Sequence, residues 1–198
     1  MSEIDSLLDF VKLTHQIRNV RRMIMLESSR RKENDEEHMY QLALTAWYLI
    51  EKHNLKLDKL RVAGLAMMHD IVEAYAGDIP TFSPKHGGKA KIENERLAAE
   101  RLRREWPEFT SMHKYIQEYE KLGTDEAKFV YALDKLLPVM NNYIYGGLVW
   151  KKVGLSLDWL KSSKVGKVDV SPEINKYYQQ MLKILDKHPE LFGEKIHG

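Results

Sequence analysis

An apolar segment of the chain, residues 62–72, carries two polar residues side by side near its end, His69 and Asp70. Burying a carboxylate without a partner is energetically expensive, so a fold that buries this segment must also supply a cation to it. Glu73 and Asp78 follow within a few residues. This short stretch thus holds one imidazole and three carboxylates, and it predicts a polar site that groups from elsewhere in the chain must complete.

Apolar residues recur at helical spacing along nearly the whole chain, which predicts an all-α fold, a compact helical bundle. No segment shows convincing β alternation. The glycines and prolines of residues 77–88 predict a loop directly after the charged stretch, which is a natural place for contacts with a substrate. The segments that we expect to be ordered are 3–26, Asn34 or Asp35 to His53, Asp58 to Ala74 or Ala76, Lys89–Glu105, Glu108 to Leu122, Thr124 to the Gly146–Gly147 break, a short piece at Ser156–Ser163, and Pro172 to Lys187.

The composition narrows the class of protein. The chain has 198 residues and is 43% hydrophobic, which suits one globular domain with a sizeable core. It contains no cysteine, so thiolate metal sites and cysteine nucleophiles are excluded. The formal net charge of +2 gives no reason to expect a nucleic-acid partner. Because we recognise neither a signal peptide nor an apolar run of about 20 residues, we expect a cytoplasmic protein that does not enter a membrane.

Two further residues can complete a metal site. His38 lies in the first turn of the second predicted helix, and Asp134 lies on the apolar side of a later helix. With His69 and Asp70 they form a set of two imidazoles and two carboxylates, which suits Mn, Fe, Co, Ni or Zn. Each residue also has an ordinary structural interpretation. The alternatives are a buried His–Asp pair, a half-buried histidine with satisfied hydrogen bonds, and an aspartate paired with Lys135 or with a tyrosine.

Acids and arginines suited to phosphate chemistry accompany this set. Glu73 lies four residues after His69 and therefore on the same side of a helix, where it can accept a proton from water on the metal. Asp78 is within reach of the same water or of a leaving oxygen, and two carboxylates near one metal can divide acid and base work. Arginine binds phosphate in a bidentate manner. The available arginines are Arg18, Arg21, Arg22 and Arg31.

Four segments, in this order, resemble the motifs of the HD-domain metal-dependent phosphohydrolases, most closely the branch that contains 5′-deoxynucleotidases. The segments are Glu33–Tyr40, Met68–Glu73, Gly77–Thr81 and Phe129–Leu136, and Glu118–Glu120 is similar to a further signature of that branch. The resemblance covers about residues 10–140. A histidine, a His-Asp pair followed by Gly-Asp, and a final aspartate form a specific pattern, whereas a His-Asp pair alone would be a weak signal.

The resemblance implies roles for individual residues. Arg22 best matches the arginine that orients the substrate phosphate, although the local alignment also permits Arg21, and Thr81 and Lys85 fall in the substrate loop. In the bacterial enzymes a tryptophan that helps to hold the nucleotide follows this arginine, whereas here that residue is Met23. The residues that match the family's metal ligands are His38, His69, Asp70 and Asp134, and those that match its catalytic acids are Glu73 and Asp78.

The expected function is hydrolysis of (deoxy)nucleoside 5′-monophosphates to nucleoside and phosphate by attack of a metal-bound water. Two alternatives stay open: another phosphorylated substrate, such as a dNTP, a cyclic or a signalling nucleotide, and a non-catalytic helical interaction module. We expect one divalent transition metal (Mn, Co, Zn, Ni or Fe), with a second metal at His86 or His113 as the alternative. The resemblance also implies a homodimer. We expect residues 1–150 to form the HD-domain core and residues 151–198, which lie beyond the resemblance, to form a helical extension packed on it.

Overall fold

A computed structural model of the chain describes residues 2–26, 31–79, 83 and 88–193. Helices dominate these residues, and the predicted all-α class is confirmed apart from one small sheet. The helices are α1 (Glu3–Asn19), α2 (Asp35–His53), α3 (Lys59–Met68), α4 (Glu73–Ala76), α5 (Lys89–Glu105), α6 (Thr110–Lys121), α7 (Asp125–Ile144), α8 (Leu148–Lys152), α9 (Leu157–Lys164) and α10 (Pro172–Leu185), and a 3₁₀ turn follows at Pro189–Leu191. The strands are β1 (Arg21–Leu26) and β2 (Arg31–Asn34).

Side-chain caps fix the starts of the helices that carry the site. The Asn34 side chain accepts a hydrogen bond from the backbone N–H of Glu37, and the Glu37 carboxylate accepts one from the backbone N–H of Asn34, which forms a capping box at the start of α2. Asp58 caps α3 and Thr124 caps α7 in the same general way. The predicted starts of these three helices are confirmed. Because each cap holds the first turn in place, it also fixes where the side chains one turn later point.

The prediction of a helix through residue 26 was wrong. Helix α1 ends at Asn19, and the chain turns into β1, which pairs antiparallel with β2. The same few residues satisfy both a helical spacing and a strand alternation, so the pattern alone could not separate the two. Residues 27–33 lay outside the predicted elements, and the pairing of β1 with β2 stabilises the strand. The sheet brings β1 beside the start of α2.

The prediction of one continuous helix from Asp58 to Ala74 or Ala76 was wrong, because the segment forms two helices. Helix α3 ends at Met68, and tight backbone hydrogen bonds from Ile71 N to Met68 O (3.4 Å) and from Glu73 N to Asp70 O (2.8 Å) turn the chain before α4 begins. Such i→i+3 bonds wind the backbone more tightly than an α-helix does. The His-Asp pair therefore lies at a junction between two helices. Because the backbone turns at this junction, neighbouring side chains point in directions that a straight helix would not allow.

Helix α7 lies at the centre of the molecule. Its residues Phe129, Leu133 and Leu136 are almost fully buried, and they share one apolar cluster with α2, α3 and the C-terminal helix α10. A second apolar cluster packs Leu13 of α1 against α5 and α6. No helix among the described residues is both long and apolar enough to cross a membrane. Asp134 is thus a charged residue on the most deeply buried helix of the fold.

Candidate active site

Three helices bring two histidines and an aspartate together. His38 comes from the first turn of α2, His69 from the end of α3, and Asp134 from the middle of α7, and all three are buried. The His38 Nε2 atom lies 3.0 Å from Asp134 Oδ1, and the His69 Nε2 atom lies 3.8 Å from the same oxygen. One nitrogen or oxygen atom from each residue lies within 4.8 Å of the others. This spacing suits a shared metal ion.

Asp70 adds a second carboxylate to this group. Its Oδ2 atom lies 3.0 Å from His69 Nε2 and 4.0 Å from His38 Nε2. Burial disfavours a charged carboxylate, but the charges of His69 and Arg22 outweigh burial and lower the pKa of Asp70. All four residues that the sequence suggested as metal ligands therefore lie in one place, and Asp70 stays ionised there.

The hydrogen bonds of His69 fit a metal ligand. Its Nδ1 atom lies 2.9 Å from the carbonyl oxygen of Ala66, which assigns the ring proton to Nδ1 and leaves a lone pair on Nε2. The Nε2 atom faces Asp70 without the angle of a hydrogen bond, so this buried nitrogen has no hydrogen-bond partner. Metal-binding histidines commonly donate their second N–H to a backbone carbonyl in this manner.

The electrostatics around His69 favour a cation between it and the carboxylates. Burial lowers the pKa of His69, but the carboxylates of Asp70 and Asp134 outweigh burial and raise it to about 9. For His38, by contrast, burial and the nearby Arg22 charge lower the pKa to about 4. A lone pair among carboxylate oxygens is favourable only when a proton or a metal ion sits between them. Two histidine nitrogens and carboxylate oxygens form the donor set that a divalent transition metal takes.

Asp134 has several partners besides the histidines. The Tyr119 hydroxyl donates to its Oδ2 atom at 2.7 Å, and the Lys135 ammonium also donates to that oxygen. Burial raises the pKa of Asp134, but Lys135 and both histidines hold it well below its usual range. The ordinary pairing with Lys135 or a tyrosine is therefore present together with the His38 contact. Tyr119 belongs to the motif that resembled a family signature, and its hydroxyl fixes the orientation of this carboxylate.

Arg22 lies at the centre of a second group of carboxylates. Its guanidinium lies 2.9 Å from Asp70, 3.3 Å from Asp35 and 3.4 Å from Glu33. Burial raises the pKa of Asp35 to about 6 and that of Glu33 to about 7, in each case against the attraction of Arg22. The sequence interpretation assigned neither Asp35 nor Glu33 a separate role at the site. The position of Asp35 three residues before His38 on one helix face was the signal available for it.

Both predicted acids adjoin the carboxylate group. Glu73 is buried, and oxygens of Glu73, Asp35 and Asp70 lie within 4.8 Å of one another. Burial and then the negative charges of Asp70 and Asp35 raise the pKa of Glu73 well above its usual range. Asp78 follows Gly77, whose φ of +73° ends α4. Burial also raises the pKa of Asp78, against the attraction of Arg22. Carboxyl groups with raised pKa values beside a cavity are candidates for proton transfer.

The structure separates the arginine candidates. Arg21 is exposed, whereas the side chain of Arg22 is only 14% exposed and points into the site. Arg18 and Arg31 form ion pairs at the surface with Glu36 and Glu37. Of the remaining candidates, His113 has a ring nitrogen 2.8 Å from the carbonyl oxygen of Trp106 and is half-buried. Thr81, Lys85 and His86 lie outside the described residues.

A cavity adjoins the charged cluster. It encloses about 130 Å³ and is partly open to solvent. Arg22, Asp78 and Asp134 line its polar part. The apolar part is lined by Met23, Ile24, Pro138, Val139, Val149, Trp150, Leu155, Trp159 and Leu160. The residues after position 147 thus form much of a wall that the sequence interpretation did not connect with the site.

The chain matches known proteins along most of its length. The model of the HD-domain family matches residues 14–175. A protein named 5′-deoxynucleotidase HDDC2 from Xenopus laevis is 32% identical over 161 residues, which are 80% of this chain and 78% of that protein. Its namesake from Homo sapiens is 31% identical over 154 residues, which are 74% of this chain and 71% of that protein.

The fold matches solved structures as well. A predicted metal-dependent phosphohydrolase from Magnetospirillum magnetotacticum MS-1 superimposes with a TM-score of 0.81 at 29% identity, covering 97% of this chain and 100% of that one. A conserved hypothetical protein from Pyrococcus furiosus, at 22% identity and a TM-score of 0.62 over 91% of this chain and 99% of that one, shares the fold. The motifs, the clustered side chains and these matches agree, and the chain belongs to the HD-domain family of metal-dependent phosphohydrolases.

Proposed function

We propose that this hydrolase removes phosphate from (deoxy)nucleoside 5′-monophosphates and releases the nucleoside. The observation that carries the proposal is the buried Nε2 atom of His69, which has no hydrogen-bond partner and faces the carboxylates of Asp70 and Asp134 beside a cavity. The relatives named 5′-deoxynucleotidase support the choice of substrate class. A non-catalytic module would have no need for Glu73 and Asp78 next to this group.

Four residues would hold the metal: His38, His69, Asp70 and Asp134. When bound there, a divalent ion such as Mn, Co, Zn, Ni or Fe supplies Lewis acidity and makes water a better nucleophile at neutral pH. Tyr119 and the Ala66 carbonyl keep two of the ligands in a fixed orientation. Orienting contacts of this kind are important because they determine where the donor atoms point before the ion arrives.

The remaining charged residues bind the phosphate and transfer protons. Arg22 lies on the cavity wall, where its guanidinium can orient the phosphate oxygens of the substrate. During hydrolysis a bond forms between the attacking water and phosphorus, and the bond from phosphorus to the 5′ oxygen breaks. We assign to Glu73 the acceptance of the proton that water loses. Asp78 lies on the same cavity wall and donates a proton to the departing 5′ oxygen.

One observation favours a second candidate substrate. Met23 lines the cavity at the position where the resemblance leads one to expect a tryptophan that contacts the nucleotide. A different wall can select a different nucleotide, because selectivity follows from the contacts of the pocket. A dNTP, a cyclic nucleotide or a signalling nucleotide is therefore the alternative substrate of the same site.

The test is a measurement of phosphate release. The protein is stripped with a chelator, Mn, Co or Zn is added back, and a panel of nucleoside monophosphates, dNTPs and cyclic nucleotides is supplied. We expect release from monophosphates only after metal is restored, and a loss of roughly 10²- to 10⁴-fold in kcat for Glu73→Gln. The matched control is Glu108→Gln, an exposed glutamate. Absence of release from every nucleotide with every metal would refute the proposal, and triphosphate release would favour the alternative.

A further inference from the structure

A lysine from helix α9 reaches the cavity that adjoins the site. Lys164 is the last residue of α9, and it lines the cavity together with Arg22 and Lys135. It is only 7% exposed. Its ammonium makes no hydrogen bond or ion pair with any residue that the structure describes. An exposed lysine at the end of a helix would need no explanation, but a buried and unpaired one does.

The three cations of the cavity differ in their partners. Arg22 contacts Asp70, Asp35 and Glu33, and Lys135 contacts Asp134. Lys164 alone has no carboxylate partner among the described residues. Its charged neighbours include Lys135, Arg22 and Lys167, which repel it, and Asp134, which attracts it from a distance longer than an ion pair. The cavity therefore contains one lysine whose ammonium pairs with no carboxylate that the structure describes.

This arrangement destabilises the folded protein. A buried charge without a partner loses its hydration and gains no compensating interaction. Burial, and after it the charge of Lys135, lowers the pKa of Lys164 to about 7. A methionine or leucine at this position would fill the same space without that cost. An anion in the cavity would remove the cost, because it would supply the opposite charge that none of the described residues places against Lys164.

We propose that Lys164 binds the phosphate group of the substrate, as a ligand that the C-terminal part of the chain adds to the site. A phosphomonoester carries a charge of about −1.5 to −2 at neutral pH, and its oxygens accept hydrogen bonds from ammonium groups. The substrate class is thus a phosphate dianion whose organic group lies on the apolar wall beside Trp159 and Leu160. This inference rests on the proposed function, since it concerns the same cavity.

The test separates phosphate binding from folding. The variants are Lys164→Met, Lys164→Gln and Lys164→Arg. The control is Lys161→Met on the same helix, where the lysine is partly exposed and pairs with Asp186. For each manganese-loaded protein, calorimetry gives the Kd of inorganic phosphate, and kinetics give KM and kcat for a deoxynucleoside monophosphate. Thermal unfolding in excess chelator gives the stability of each variant.

We expect the Met and Gln variants to raise both the phosphate Kd and KM by roughly tenfold or more, the usual effect of losing a hydrogen bond to a charged group. Lys164→Arg should retain most of the affinity, and Lys161→Met should not change it. The unfolding temperature of Lys164→Met should equal or exceed that of the wild type, which a purely structural role would not produce.

Two results would overturn the inference: unchanged phosphate affinity in Lys164→Met, or loss of the fold in both the Met and the Gln variants. The phosphate titration does not depend on turnover. If the wild type hydrolysed no nucleotide, the proposed function would fail, while the titration would still decide the role of Lys164. If the wild type were active and the Met variant had normal KM and phosphate Kd, only the inference about Lys164 would fail.

Discussion

Replacement of Arg22 by leucine tests how the site holds its negative charges. The guanidinium is the cation that lies between the carboxylates of Asp70, Asp35 and Glu33, at 2.9, 3.3 and 3.4 Å. Its side chain is only 14% exposed. Leucine would retain an aliphatic side chain at position 22 but would leave the three carboxylates buried around an apolar group.

The expected loss of stability is large. Removing one partner from a buried ion pair costs about 3–5 kcal/mol, because the remaining charge is left without compensation. A domain of ordinary stability has about 5–15 kcal/mol in total, so the variant should fold but unfold much more easily. The loss should shrink as pH falls. The pKa values of Asp35 and Glu33 are already raised to about 6 and 7, and protonation of these groups removes the uncompensated charge.

The assay is urea unfolding of Arg22→Leu in excess chelator at pH 8 and pH 5. The matched control is Arg21→Leu, since Arg21 is the adjacent residue of β1 and is exposed. The control should change the free energy of unfolding by less than about 0.5 kcal/mol. Adding Asp35→Asn to Arg22→Leu should restore part of the loss, because it removes one of the buried charges. Equal, small effects of the two arginine substitutions would refute the electrostatic account of the site.

Three further outcomes follow from the structure. Tyr119→Phe removes the hydroxyl that donates to Asp134, and we expect metal affinity, measured by calorimetry, to fall about tenfold; unchanged affinity would contradict the orienting role. Asp58→Ala removes the cap of α3 and should lower the free energy of unfolding by about 1 kcal/mol in urea titrations, whereas no change would mean that other groups satisfy these N–H donors. Between about pH 7 and its ordinary pKa of 10.5, Lys164 is neutral in the folded protein and charged in the unfolded chain, so unfolding takes up a proton. The burial of Lys164 therefore lowers the free energy of unfolding most below pH 7 and least near pH 10.5. Chelated Lys164→Met should therefore exceed wild type in stability by up to about 5 kcal/mol below pH 7, and thermal unfolding at several pH values should show this difference disappear as pH rises.

The sequence predicted which polar side chains lie together better than it predicted the path of the chain toward them. His38, His69, Asp70 and Asp134 were recognisable because polar groups on apolar helix faces are rare and need partners. The junction at His69 was not recognisable, because an interrupted helix and a continuous one have the same spacing of apolar residues. The strand at Arg21–Leu26 was missed for a related reason, since its stability comes from pairing with a segment that shows no strand pattern of its own.

Lys164 could not be identified from the sequence. It lies in a polar segment at the end of a short helix, where lysine is ordinary and favourable for the helix dipole. Its burial becomes visible only when α9 packs beside the cavity, which depends on contacts between distant parts of the chain. Asp35 shows the same limit, because its role as a partner of Arg22 requires the sheet that brings β1 to the start of α2.

We propose that His38, His69, Asp70 and Asp134 hold a divalent metal that phosphate release requires. The most direct test measures phosphate release from deoxyadenosine 5′-monophosphate while manganese is titrated into chelator-treated protein. We predict no release before metal is added, a rate that saturates with one ion per chain, and no recovery in a His69→Ala variant at the same metal concentration. Full activity in excess chelator, or normal activity of His69→Ala, would contradict the claim.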